Sequence, residues 1–155
     1  MRDGNHTATM LATYLAACAE RAEPFSWATH NCCHFAAGWV HQATGRDTMQ
    51  GFGATPHLRA ARRELERFVG SLQAAVSEAL GQAPIEPALA RTGDVLMLTT
   101  AALPLVAASA SGGIGFVLGL CSGRHAVLQM ADGALLFAPV LSARAAWRLP
   151  EPVAP

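Results

Sequence analysis

The side chains best suited to chemistry lie in one short segment, His30-Asn-Cys-Cys-His34. Cys32 begins an apolar stretch with helical spacing, and Asn31 before it is a natural N-cap residue. A thiol in the first turn of a helix faces unpaired backbone N–H groups and the positive end of the helix dipole, and both favour the thiolate. We therefore expect Cys32 to be the nucleophile of any chemistry that this chain performs.

A nucleophilic cysteine also needs a general base, normally a histidine, and a third group that orients the base. His30 lies in the loop before the helix and can fold back toward Cys32, although its ordinary role there would be a loop hydrogen bond. His34 lies two residues beyond Cys32, so on a helix it points away from the thiol. His30 is accordingly the candidate substitute base.

The same segment has the residue types of a metal site without the usual spacing. Zinc sites favour about two to four residues between paired ligands, whereas the ligands here are adjacent. We predict no metal ion and no cofactor. Cys33, like Cys18 and Cys121, is interpreted as a small buried hydrophobic residue.

The elements that must position this segment change in type along the chain. Apolar residues recur at helical spacing over 7–22, from Cys32 to before Gly45, from Thr55-Pro56 onward, and over 72–80. Later come short apolar runs bounded by Gly, Asp or Ser, at 94–100, 114–120, 125–130 and 134–137. Helices first and antiparallel strands second predict an α+β fold, with a hairpin turn at Asp132-Gly133.

Bulk properties exclude several functions. The chain has 155 residues, a length that suits one domain at 1–149, followed by a loose Pro-rich tail at 150–155. Eleven basic side chains balance eleven acidic ones, so no long-range field attracts nucleic acid, which is not an expected partner. Four irregularly spaced cysteines and an N-terminus without a signal-peptide pattern predict reduced thiols and synthesis in the cytoplasm.

One uncharged stretch, between Asp94 and Arg124, is long enough to resemble a membrane span. Pro104 and the Gly112-Gly113 pair interrupt it, so two buried strands joined by a long apolar loop at 101–113 explain it better. We therefore predict no membrane insertion, and we expect the loop either to cover the core or to contact a partner.

Three stretches together resemble a known family: Trp27-Ala-Thr-His-Asn-Cys-Cys-His-Phe-Ala-Ala, Gly93-Asp-Val and Gly113-Ile-Gly-Phe-Val-Leu-Gly. They are similar to the NlpC branch of the papain-like cysteine peptidases, and more closely to a phage- and prophage-associated branch of that fold. The resemblance covers roughly residues 27–147 and implies a Cys-bearing core helix packed on a C-terminal antiparallel sheet. Many members of the superfamily cut peptides of the bacterial cell wall, and some sit in phage tails.

The resemblance carries over residue by residue. Cys32 matches the nucleophile, and Gly113 stands where the catalytic histidine is expected, so the usual base is missing. His125 would lie at the opposite end of that strand, about 20 Å away, and cannot replace it. The binding residues that the resemblance implies are Trp27, Asn31 in place of the usual Asp, Asp94 at the start of the first sheet strand, and Gly113.

These observations leave three functions open. We favour a catalytically degenerate phage or prophage tail-associated protein, a tail component or assembly factor, found in the host cytoplasm at synthesis and in the virion tail if phage-encoded. The alternative is an active cysteine peptidase or amidase that cleaves cell-wall peptide through Cys32 with an unconventional base. A third possibility is a module that binds a peptide without cutting it. The expected partners are other phage tail proteins and, for the last two functions, bacterial cell-wall peptide.

Overall fold

The computed structural model describes residues 3–26, 29–50, 59–60, 63, 72–99 and 115–154. Within these ranges the helices are α1 (Gly4–Arg21), α2 (Cys32–Thr44) and α3 (Leu72–Leu80). The strands are β1 (Val95–Thr99), β2 (Phe116–Ser122), β3 (His125–Gln129), β4 (Leu135–Pro139) and β5 (Ala145–Trp147). Single 3-10 turns precede β1, at Pro87–Leu89, and β5, at Val140–Ser142. The predicted α+β class and its order along the chain are confirmed.

Helix α1 begins earlier than its apolar pattern predicts, because the cap lies outside that pattern. Asp3 accepts the backbone N–H of Asn5 at 3.1 Å and so fixes the first turn before any buried residue appears. The helix ends at Ala22, whose left-handed conformation lets its N–H donate to the carbonyl of Cys18.

The five strands form one antiparallel sheet in the order β4-β3-β2-β1-β5. Four of them match predicted runs, and the turn between β3 and β4 contains the predicted Gly133 at φ +89°. Strand β5 was not predicted, because three residues are too few to show a strand period. It pairs with β1, which is remote in sequence, through Trp147 opposite Val95.

The core lies mainly between the helices and one face of the sheet. Trp39, Phe35 and Leu11 are almost fully buried there, and α2 packs on β2. Two buried polar groups are satisfied: the Tyr14 hydroxyl donates to the Phe35 carbonyl at 2.6 Å, and the Trp39 indole donates to the Gly93 carbonyl at 2.8 Å. These bonds lock α1 to α2 and α2 to the start of the sheet.

Three sequence predictions lie outside the described residues: the apolar loop at 101–113 and the positions of Trp27 and Gly113. Of the helix predicted from Thr55-Pro56, residues 59–60 and 63 are described, and they are helical. In the predicted Pro-rich tail, Pro150 is buried and residues 151–154 are exposed, with one hydrogen bond from the Val153 N–H to the Thr44 carbonyl at 2.8 Å. In the part of the chain that the structure describes, no helix has the length and apolar character needed to cross a membrane.

Candidate active site

The start of α2 places Cys32 as predicted, in the first residue of the helix. Asn31 has extended backbone geometry, and its side-chain oxygen accepts the N–H groups of Cys33 at 2.9 Å and His34 at 3.3 Å. This cap explains why the helix begins here, since two of its unpaired donors are satisfied by one side chain. The implied binding residue Asn31 therefore has a structural role as the N-cap.

Beneath the helix start, β2 and β3 separate. They pair only from Leu120 to Ser122, whereas the earlier residues of β2 pair with β1 alone. The backbone N–H of Leu118, in the separated part of β2, donates to the sulfur of Cys32. The Leu118 N–H lies outside the β2–β3 ladder, and this leaves it available to the Cys32 sulfur.

The two adjacent cysteines form a hydrogen-bonded thiol pair. The hydrogen bond from the Cys33 thiol lowers the pKa of Cys32, burial raises this pKa, and the Leu118 N–H lowers it again, with a net decrease. The pKa of Cys33 is raised well above its ordinary value by the same pair and by burial. Cys32 is therefore the more acidic thiol of the two, while Cys33 also packs against the hydrophobic core, as predicted.

His30 is held between two side-chain oxygens. Its Nε2 contacts Oε1 of Gln129, and its Nδ1 lies 3.5 Å from the carboxylate of Glu23. The Gln129 amide is oriented by its own Nε2, which donates to the Gly133 carbonyl at 3.1 Å, so its oxygen faces the imidazole. Both ring nitrogens of His30 are thus directed at Gln129 and Glu23, and none of its described contacts is with Cys32.

His34 lies beside His30 rather than beside the thiol, in agreement with its predicted direction. Its Nδ1 is buried and has no hydrogen-bond partner among the described residues. Burial and the neighbouring His30 lower the pKa of His34, and Glu23 opposes them. The imidazole is thus favoured in its neutral form.

Asp94 belongs to a different cluster. Its carboxylate is buried and accepts the backbone N–H groups of Arg91 at 2.8 Å and Leu149 at 3.0 Å, together with Nη1 of Arg148 at 3.0 Å. We call this group the carboxylate anchor. It joins the start of β1 to the segment after β5, and no contact with Cys32 is among its described hydrogen bonds.

His125 begins β3 opposite Ser122, at the far end of β2 from Phe116, as predicted. Its ring packs edge-on against Phe137, with centroids 6.1 Å apart.

Within the described residues no group of three or more His, Cys, Asp or Glu side chains could hold a metal ion. We call the assembly of Cys32, Cys33, His30 and His34 the thiol site.

Sequence reasoning missed two side chains that contact His30 of the thiol site, Gln129 and Glu23. Gln129 is a polar residue at the end of an apolar strand, and it is buried. Its position is a usable sequence signal, because a buried polar side chain needs a hydrogen-bond partner. Glu23 follows α1 directly and gives no sequence signal of its own, because surface carboxylates are common at such positions.

Comparison with known proteins gives one match. Residues 4–149 match a family described as a domain of unknown function, DUF6950, and the chain belongs to this family. None of the curated proteins and none of the solved structures matches the chain.

Proposed function

We propose that this protein is a phage or prophage tail component or assembly factor with an NlpC-type papain-like fold whose cysteine site does not hydrolyse peptides. The observation that carries the loss of activity is the placement of His30. Both of its ring nitrogens face oxygen acceptors, Gln129 Oε1 and the Glu23 carboxylate. The tail setting rests on the resemblance of the sequence to phage-associated members of that superfamily.

The missing base matters at two steps of amide hydrolysis. A histidine first takes the proton of the thiol and later gives it to the departing amine, because an amine anion is too poor a leaving group. The pair of cysteines replaces the first role in part, since Cys33 and Leu118 stabilise the Cys32 thiolate. Nothing in the described contacts of Cys32 replaces the second role, and Gly113 has no side chain to do so.

One observation favours the alternative, an active peptidase or amidase. The lowered pKa of Cys32 is the property that a cysteine nucleophile requires, and it arises at a helix start beside a backbone donor. In that function the Leu118 N–H would stabilise the oxyanion as well as the thiolate, and His30 would have to turn one nitrogen toward Cys32.

Hydrolysis of cell-wall peptides by the purified protein separates these functions. We expect no turnover above a Cys32→Ala control, because general acid–base catalysis contributes roughly a hundred- to ten-thousand-fold. Gly113→His should increase the alkylation rate of Cys32 if the alignment is right. Turnover by the unaltered chain that Cys32→Ala and His30→Ala both abolish would overturn the inactive site in favour of the peptidase.

The tail role has a separate test, which does not depend on chemistry. Particles induced from a lysogen that carries this gene should contain the chain when purified virions are analysed by mass spectrometry, or should lack assembled tails when the gene is deleted. The tail role would be refuted if particles from the unaltered lysogen lack the chain and if deletion of the gene still gives normal, infectious particles.

A further inference from the structure

The described residues offer one chemical feature that peptide hydrolysis does not use, the pairing of two neighbouring thiols. Cys32 and Cys33 occupy the first turn of α2, and the Cys33 thiol donates its hydrogen bond to the sulfur of Cys32. The Asn31 cap fixes the backbone of this turn through the N–H groups of Cys33 and His34. The two thiols therefore lie side by side in one turn whose backbone is fixed, and both residues are only half-buried.

We propose that Cys32 and Cys33 form a bidentate site for a thiophilic centre of the trivalent-arsenical class. Each sulfur supplies one bond, and the helix start holds the two at one side of the centre. Two protein ligands complete the coordination of an arsenical that carries one organic group. The site therefore does not require the cluster of three or more ligands that is absent from the described residues.

Geometry favours this chelate over a disulfide between the same sulfurs. Neighbouring Cα atoms are about 3.8 Å apart, whereas disulfides usually join Cα atoms about 4.4–6.8 Å apart with sulfurs at about 2.05 Å. Two thiolate bonds of about 2.3 Å, at an angle near 100°, instead separate the sulfurs by about 3.5 Å. That separation is within reach of two neighbouring cysteine side chains, so the chelate is less demanding for the first turn of α2 than the disulfide.

An apolar cleft lies beside Cys33 and can receive part of the organic group. It is bounded by α2, α3 and the first two strands, and Cys33 and Leu118 form part of its wall. The remaining lining is almost entirely aliphatic, with Ala36, Val40, Val76 and Val95 among it. The cleft is small, so part of an aromatic or alkyl substituent on the bound centre would be removed from water there and the rest would stay in solvent.

The reaction balances without an oxidant or a reductant. With phenylarsine oxide, the two S–H bonds and the As=O bond break, two As–S bonds form, and one water molecule leaves. The arsenic stays trivalent. The proton of Cys32 leaves readily because this thiol is the more acidic of the two, and the second substitution at Cys33 is intramolecular.

The test uses phenylarsine oxide, the full-length chain and intact-mass spectrometry. We expect one adduct per chain, formed with loss of one water, mapped to a single peptide containing both cysteines, and reversed by a dithiol but not by an equal concentration of a monothiol. Cys32→Ser and Cys33→Ser should each weaken binding by roughly a hundredfold or more, because the second bond is then lost.

Cys18→Ala and Cys121→Ala are the matched controls, since these two thiols are buried and lie on other elements, α1 and β2. They should leave the adduct unchanged, and circular dichroism reports whether each variant is folded. The proposal is overturned if Cys33→Ser keeps full affinity, if the adduct maps to Cys18 or Cys121, or if a monothiol removes it from the unaltered chain. The mapping and thiol reversal use the unaltered chain, so they decide the question even if a serine variant fails to fold.

Discussion

Two polar clusters lie on the same sheet and differ in how completely their groups are paired. In the carboxylate anchor, Asp94 is 3% exposed and accepts three hydrogen bonds, one of them from Arg148. In the thiol site, His34 has a buried nitrogen without a partner among the described residues, and His30 has both nitrogens directed at acceptors while the neighbouring thiol has no imidazole.

The difference shows which polar groups the fold needs. A buried charge persists only when its hydrogen bonds are made, so the completeness of the carboxylate anchor indicates a role in stability. Incomplete pairing weakens a structure, and natural proteins accept it mainly at sites used for something else. The comparison therefore predicts large effects on stability at Asp94 and mainly chemical effects at the thiol site.

The largest expected effect is that of Asp94→Ala. The buried N–H of Leu149 loses its acceptor at about 1–3 kcal/mol, and the partly buried N–H of Arg91 loses its acceptor at the lower end of that range. The loss at Arg148 adds less because that side chain is a third exposed. We expect the free energy of unfolding to fall by about 3 kcal/mol or more in urea titrations. Asp132→Ala, which removes an exposed cap of the Ala134 N–H, is the control and should lose about 1 kcal/mol or less. Equal losses in the two variants would remove the distinction between the clusters.

The next effect concerns the turn that supports the thiol site. Gly133 has φ +89°, and a Cβ there would lie 2.2 Å from the backbone of Ala22, whereas Gly81 has φ +68° and open space around it. Gly81→Ala should cost about 1–2 kcal/mol of unfolding free energy from the left-handed conformation alone. Gly133→Ala should cost at least about 1 kcal/mol more, because the turn must move from the end of α1.

The Gly133 variant also has a readout at the thiol site. This turn holds Gln129 through the Gly133 carbonyl, and Ala131 accepts the Phe25 N–H at 2.9 Å. Displacing it should therefore release His30 from Gln129, which two-dimensional NMR of the imidazole would detect. Equal stability losses in Gly133→Ala and Gly81→Ala, with an unchanged His30 signal, would contradict the close contact.

Much of the fold was accessible from the sequence because its signals are local. Apolar runs bounded by turn residues predicted β1 to β4, and the Asn31 cap predicted the start of α2 at Cys32. What escaped prediction depends on contacts between distant residues. Strand β5 exists because β1 offers it an edge, and the hydrogen bond of the Val153 N–H depends on Thr44 at the end of α2.

The site was predictable in its nucleophile and not in its partners. A helix start identifies a cysteine such as Cys32 by local rules, whereas His30 and Gln129 are 99 residues apart and meet only through the fold. The donor role of Cys33 also escaped, because adjacency alone does not tell whether two thiols face each other. Whether His30 can act as a base stays a prediction, and the geometry argues against it.

A smaller effect is expected in the pH dependence of stability. The pKa of His34 is lower in the folded chain than its unfolded value of about 6.5. The unfolded chain therefore binds more protons as the pH falls below that value, so the stabilising contribution is complete above it and is lost as the pH falls through the folded pKa. Urea titrations at pH 7.5 and at pH 5 should show a smaller difference for His34→Gln than for the unaltered chain. His41→Gln, an exposed position on the same helix, should keep the full difference.

The smallest effect, and the one closest to chemistry, is the change in the acidity of Cys32 when its donor is removed. Cys33→Ala should raise the pKa of Cys32, because the hydrogen bond from Cys33 is the main cause of its decrease. The rate of alkylation at neutral pH should then fall several-fold, since the thiolate fraction changes tenfold for each unit of pKa. Cys33→Ser keeps a donor at the same place and should lose less.

Measuring the alkylation rate of Cys32 against pH by mass spectrometry gives both the pKa of this thiol and its rate at neutral pH. His30→Ala serves as the comparison. If the thiol site is what its hydrogen bonds indicate, His30→Ala leaves the curve of Cys32 nearly unchanged, because that imidazole is held by Gln129 and Glu23. If instead His30→Ala abolishes rapid labelling and Cys33→Ala does not, His30 is the base. The thiol site would then be as completely organised for catalysis as the carboxylate anchor is for stability.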